Sequence, residues 1–189
     1  RYSMQQYGNT NIEIGRTKSA FINNRLPDDI QHIVLQTITG IKKDQPIETP
    51  SEKFSFLNYN MISYTKTGDW MKLLEDELGK EVFDNCMQEY YKRWQFKHPY
   101  PEDFKKVVEE SGKNADATFS LLNKKGELKK KKKKKDIRFA AFFSMKETDK
   151  HNYIFASPAI GYNFYDKFMI GALLHNYTLP LNKFQFVIA

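Results

Sequence analysis

Cysteine is nearly absent: Cys86 is the one thiol in 189 residues. No internal disulfide and no paired-thiolate metal site can form within the chain, and Cys86, set in a helical pattern, reads as an inert buried thiol. Histidine is scarce too. His32, His98, His151 and His175 are scattered, with no two four residues apart, which excludes an H-E-x-x-H zinc helix. His98, between Lys97 and Pro99, reads as a turn or helix-start residue. There is no glycine-rich phosphate loop and no G-x-S-x-G nucleophile elbow. Long apolar runs are missing as well. Residues 168–174 make the best candidate and are far too short for a membrane-crossing helix, in a chain whose mean hydropathy is -0.67.

Charge is plentiful but localised. Lysine and arginine number 30 against 23 acids, a net of +7, yet Lys124, Lys125 and the run at 129–135 account for nine of the lysines. The remainder holds 21 basic against 23 acidic residues, so the folded parts are close to neutral. The run lacks the interleaved arginines and aromatics of a nucleic-acid reader, so no nucleic-acid partner is expected. It reads as a self-repelling, extended and mobile linker. With 40% hydrophobic and 15% aromatic residues, the chain can bury one core and a small second unit. Arg1 is not an initiator methionine, and the last residues, 184–189, run on in an apolar, strand-like pattern. The sequence therefore reads as a piece of a longer protein, and the lack of a visible signal peptide does not assign it to the cytosol.

Residues 1–123 read as helices, 124–135 as a lysine-rich linker and 136–189 as strands; no internal repeat is present. Residues 2–7 look like the tail of a helix ending at Gly8. A helix is expected over 28–39, with Pro27 at its start, Asp28 and Asp29 at its positive end and Gly40 closing it. Trp70, Leu73, Leu74 and Leu78 form one stripe of a helix over 65–78, stopped by Gly79. Phe83, Met87, Tyr90 and Trp94 make the next stripe. Pro101, Glu102 and Asp103 open another helix with Phe104, Val107 and Val108 inward, and a short helix is expected over 115–122. Beyond the lysines the period changes to two. Residues 138–143, 153–160, 167–175 and 183–188 are rich in aromatic and branched side chains, and read as the opening hairpins of a β-meander. Asn176-Tyr177-Thr178 matches a glycosylation acceptor by spacing alone.

One segment carries a chemical signal: Asn58-Tyr59-Asn60-Met61-Ile62-Ser63-Tyr64-Thr65-Lys66-Thr67-Gly68, leading into the Trp70 helix. Tyr64-x-Lys66 with Gly68 nearby and Leu78-Gly79 beyond resembles the catalytic-tyrosine segment, Y-x-K-G, of aminopeptidase N-like zinc metallopeptidases (gluzincins). Thr67 stands here as an additional residue before the glycine. The passage from Phe83 to Trp94 and then Phe96-Lys97-His98-Pro99-Tyr100-Pro101-Glu102-Asp103-Phe104 adds to the resemblance, which covers residues 1–123. It implies a mainly α fold: the helical C-terminal part of a thermolysin-like catalytic region, ahead of the linker and meander. It implies peptide hydrolysis by zinc-activated water, with Tyr64 stabilising the tetrahedral intermediate. In such a family the zinc ligands and the segment holding the substrate's amino terminus lie upstream of the tyrosine. Zinc and a peptide substrate are thus expected of the full-length protein, and this chain alone is expected to be inactive.

The chemistry of Tyr64 stands apart from the resemblance. A phenol with a pKa near 10 stays protonated at neutral pH and can donate to an oxyanion. The plainer reading is a tyrosine lying on a core helix, and Lys66 reads as a solvated helix residue. The alternating aromatic strands also fit the start of a transmembrane barrel. Residues 165–168 and 175–181 resemble the opening of bacterial outer-membrane barrel domains, which implies the cell envelope (periplasm or outer membrane) and an association with the outer membrane. The alternative function is a non-catalytic helical binding or scaffold module whose basic tract contacts acidic lipid or phosphate.

Overall fold

A computed structural model describes residues 25, 30–128, 134–148 and 150–189. The helix tail at 2–7, Pro27 to Asp29 and the lysines at 129–133 lie outside the described residues. In chain order the described elements are α1 (Ile30–Gly40), a 3-10 turn (Ser51–Lys53), α2 (Phe56–Asn60), a π-helical turn (Met61–Lys66), α3 (Thr67–Leu78), α4 (Lys80–Trp94), α5 (Pro101–Glu110), α6 (Asp116–Phe119) and strands β1 (Asp136–Ala141), β2 (His151–Asn163), β3 (Lys167–His175) and β4 (Val187–Ile188). Two compact units hold them. One contains Asp44–Leu128; the other contains the described residues 25, 30–43 and 134–189. The chain is thus helical with a small mixed sheet.

In the first unit the apolar stripes of α3, α4 and α5 close on one another. Trp70, Leu74, Leu78, Phe83, Cys86, Val107 and Val108 are all buried in one cluster with Phe104, Phe119 and Leu122. Polar groups inside it are satisfied: the Trp70 indole N–H donates to the Thr118 carbonyl at 2.8 Å, and Thr118 Oγ1 donates to Glu77 at 2.5 Å. Gly79, at φ 84, ends α3 and begins α4, a reversal that a side chain would strain. Pro101 occupies the first turn of α5, and the Asp103 carboxylate accepts from the Tyr100 backbone N–H at 2.9 Å, closing the helix start. Two expectations change here. The helix read over 65–78 begins four residues earlier as a π-turn, and the short helix over 115–122 holds α-geometry only through Asp116–Phe119 before breaking into turns.

The second unit holds α1 and a four-stranded sheet in the order β1-β2-β3-β4. β2 and β3 form a long antiparallel hairpin, and β4 adds antiparallel to β3. β1, however, runs parallel to β2, pairing Asp136 with His151 and Ala141 with Ala156. The expected meander is therefore corrected to a mixed sheet. The physical reason lies in residues 142–150, which carry the chain back to its starting end instead of turning it tightly. Phe142 and Glu147 take positive φ to do so, and Tyr153 Oη donates to the Lys146 carbonyl at 2.8 Å to pin the return. Asn176 is buried, its Nδ2 donating to the Phe184 carbonyl and its Oδ1 accepting from the Phe186 N–H. Its amide is engaged in the fold, contrary to a free glycosylation acceptor.

Candidate functional site

The site grows from the junction between α2 and α3. The Ser55 hydroxyl accepts from the Asn58 N–H and starts α2, which passes without a break into the π-turn at Met61–Lys66. There the Thr67 N–H reaches back five residues to the Ile62 carbonyl, and Thr67 Oγ1 donates to the same oxygen at 2.9 Å. The wider turn sorts its side chains sharply. Ile62, Thr65 and Lys66 are sealed inside at 0%, 0% and 1% exposure, while Tyr64 stands 46% exposed. Single π-turns inside helices collect at functional positions because they reset which side chains face outward.

Lys66 overturns its sequence reading as a solvated residue. Its ammonium lies 3.1 Å from Asp44 Oδ2, both side chains at 1% exposure, and it also donates to the Lys124 carbonyl at 3.1 Å. The same Asp44 oxygen accepts from the Gly126 N–H at 2.6 Å. Asp44 Oδ1 has no partner among the described residues. One buried pair thus ties together the entry loop at residue 44, the π-turn and the turn at 124–126. A buried charge holds such a position only with its partner in place, because removing either leaves the other without solvent.

On the outer side, the Tyr64 ring meets the Tyr59 ring edge-on, with centroids 6.0 Å apart, and Tyr59 contacts Phe54 in the same manner at 6.2 Å. A hydrogen bond with Tyr59 raises the Tyr64 phenol above its ordinary value, with the charge of an ionised Tyr59 and a small degree of burial acting the same way. Tyr64 therefore remains a protonated donor across the neutral range. Neither Tyr59 nor Asp44 was singled out from the sequence. The interval of five between the two tyrosines was the one available hint of the first, while nothing local marks Asp44.

A separate cleft of about 340 Å³ opens on the helical core beside Ile47, Trp70, Met71, Tyr90 and Tyr100. Its walls are apolar and Tyr64 is not among its lining residues, so this cleft and the tyrosine pair are distinct features. The Tyr90 phenol on its wall is pushed up, first by burial and then by Asp103.

Among the described residues no three of His, Cys, Asp and Glu gather as a metal-holding group, and the one deeply buried carboxylate, Asp44, is already engaged by Lys66 and Gly126. The described residues therefore gather no zinc-binding set. No described helix is long and apolar enough to cross a membrane.

No family model matches the chain, and no solved structure matches it. Two curated proteins resemble parts of it. Aminopeptidase 2, mitochondrial, of Saccharomyces cerevisiae is 25% identical over 101 residues, 52% of this chain and 10% of that protein. Glutamyl aminopeptidase of Sus scrofa is 35% identical over 65 residues, 34% of this chain and 7% of that protein. The match thus spans a tenth or less of either relative. These partial likenesses support an aminopeptidase-like kinship for the chain.

Proposed function

We propose that this chain forms part of a peptidase of the aminopeptidase kind, in which Tyr64 donates a hydrogen bond to the oxyanion of the tetrahedral intermediate. The observation that carries the reading is the π-turn itself. It seats Lys66 in a closed ion pair and, two residues away, sets a protonated phenol at the surface. A π-turn takes in one residue more than an α-turn, which suits the additional Thr67 between Lys66 and Gly68. Partial likeness to two aminopeptidases supports the same reading.

The chemistry asked of the chain is limited. When water adds to a peptide carbonyl, the oxygen gains negative charge, and a donor aimed at that oxygen lowers the barrier more than it stabilises the substrate. Tyr64 serves as such a donor without losing its proton, its single O–H turning from Tyr59 to the oxyanion. Activation of the water falls to groups the described residues do not contain. Tyr59 orients the phenol, and the Lys66–Asp44 pair fixes the turn beneath it. Tyr64→Phe, in a protein carrying these residues together with a zinc site, is expected to lower kcat by about a hundredfold to a thousandfold, the usual cost of removing one oxyanion donor. Metal content and unfolding midpoint should stay unchanged. Unaltered turnover removes Tyr64 from the mechanism.

A further inference from the structure

The register of β1, β2 and β3 separates the sheet into two unlike faces. On one face lie Ile137 and Phe139 of β1, Ile160 and Tyr162 of β2, and Ile170 and Phe168 directly opposite the last two on β3. All six are between 62% and 86% exposed. The positions that complete this face in the β2–β3 pairing, Ala156 opposite Leu174 and Pro158 opposite Ala172, bring no charge to it. The reverse face of the hairpin buries Tyr153 and Phe155 at one end, beside Leu173, and towards the β2–β3 turn carries mostly smaller or polar groups, among them Ser157, Gly161, Asn163 and Gly171, with Met169. A sheet made for water places its polar residues outward and its apolar ones on a core; here apolar side chains lie on both faces, buried on the reverse one and largely exposed on this one.

Three further observations bear on what covers that face. A tilted strand needs about nine to eleven residues to cross bilayer hydrocarbon; the β2–β3 hairpin reaches this with thirteen and nine, whereas β1 has six and β4 two. The aromatics gather at the β2–β3 turn, where Tyr162, Phe164, Tyr165 and Phe168 are each at least 62% exposed, the placement of an interfacial girdle. Because β1 and β2 are parallel, the start of β1 lies at the opposite end of the sheet, and Lys134 and Lys135 precede it directly. Basic residues there complement anionic headgroups. A protein partner accounts for the apolar area but not for this ordering of apolar middle, aromatic end and basic end.

We propose that this face of the sheet is a lipid-contacting surface, seated against the acyl chains of a bilayer. It goes beyond the peptidase reading and does not depend on it. In hydrocarbon the outer edges of β1 and β4 need pairing partners to satisfy their backbone groups.

The test uses the full chain reconstituted in vesicles of phosphatidylethanolamine and phosphatidylglycerol. Spin labels are placed singly, in a Cys86→Ser background, at Ile160 and Ile170 on the apolar face and at Ser157 and Gly171 on the reverse. Collisions with oxygen should exceed those with a water-soluble nickel chelate at the first two positions, and the order should invert at the other two. Equal accessibility on both faces overturns the proposal. So does exclusion of both reagents at Ile160 and Ile170, which marks a second copy or another protein on the face. Flotation of the unmodified chain gives an independent readout. It should stay with the vesicles in about 1 M salt, where the Debye length is about 3 Å, and Ile170→Glu should cut the bound fraction roughly tenfold. Release of the unmodified chain by salt leaves only the lysines binding and refutes the lipid-facing sheet.

Discussion

The helical unit hides a lysine, and the sheet unit displays phenylalanine and isoleucine. Lys66 is 1% exposed while Phe168 is 76% exposed, each the reverse of what its chemistry favours in isolation. The two departures differ in kind. Lys66 is compensated inside its own unit by Asp44 and the Lys124 carbonyl, so the exception closes locally and stiffens the turn that bears Tyr64. The apolar sheet face has no such compensation among its own strands, and the lipid contact proposed above would supply its favourable environment. Exceptions to the inside-outside rule thus mark a rigid turn in one unit and, on the proposal above, a lipid-contacting face in the other.

The sharpest way to break this contrast is to remove the compensation. Lys66→Met leaves Asp44 buried with no counter-charge and is expected to cost about 3 to 5 kcal/mol in urea unfolding. The double replacement Lys66→Met with Asp44→Leu should recover most of that loss, because no uncompensated charge remains. A double variant as unstable as the single one would show that the pair does not behave as a unit. Leu74→Ala, at a fully buried position of α3, is expected to cost about 3 kcal/mol by transfer and cavity formation. The loss should appear in the same cooperative transition, followed by tryptophan fluorescence from Trp70.

A titration sharpens the site. Tyr64 is held above its ordinary value of 10.0, first by its hydrogen bond with Tyr59. A group whose folded pKa is raised contributes stability below its unfolded value and loses it as pH rises through the folded one. Any contribution from Tyr64 is therefore complete at neutral pH and fades only in the alkaline range above 10.0. Tyr59→Phe removes the main cause, so the phenolate absorbance of Tyr64 should rise at lower pH than in the unaltered chain; an unmoved midpoint contradicts the coupling. The smallest effect is expected on the sheet. Phe168→Ser, far out on the exposed face, should shift urea unfolding in aqueous buffer by less than about 0.5 kcal/mol. A large loss there would mean the face is already covered.

Helices α3, α4 and α5 were legible because apolar spacing, Gly79 and Pro101 are local signals that tertiary packing reinforces. The span of β3 was legible for the same reason, from period-two patterning between turn residues. Strand direction was not, since pleated alternation is identical in parallel and antiparallel pairs. The π-turn was hidden because widening a helix by one residue leaves no signature in side-chain type. Burial of Lys66 was hidden because its partners stand 22 and 58 residues away, and a lysine in a helical stretch is ordinarily solvated. Tyr64 was singled out by the resemblance of its segment to the Y-x-K-G pattern, while the neighbour that tunes it, Tyr59, emerged only with the geometry.

The most direct test of the central claim is a kinetic comparison of Tyr64→Phe with the unaltered residue, in a protein that carries this segment and a zinc site, using an aminoacyl para-nitroanilide. For Tyr64→Phe, kcat should fall about a hundredfold or more with KM nearly constant and with zinc content and unfolding midpoint unchanged. Equal kcat for the two proteins would contradict the claim and leave the tyrosine pair as surface packing on a helix junction.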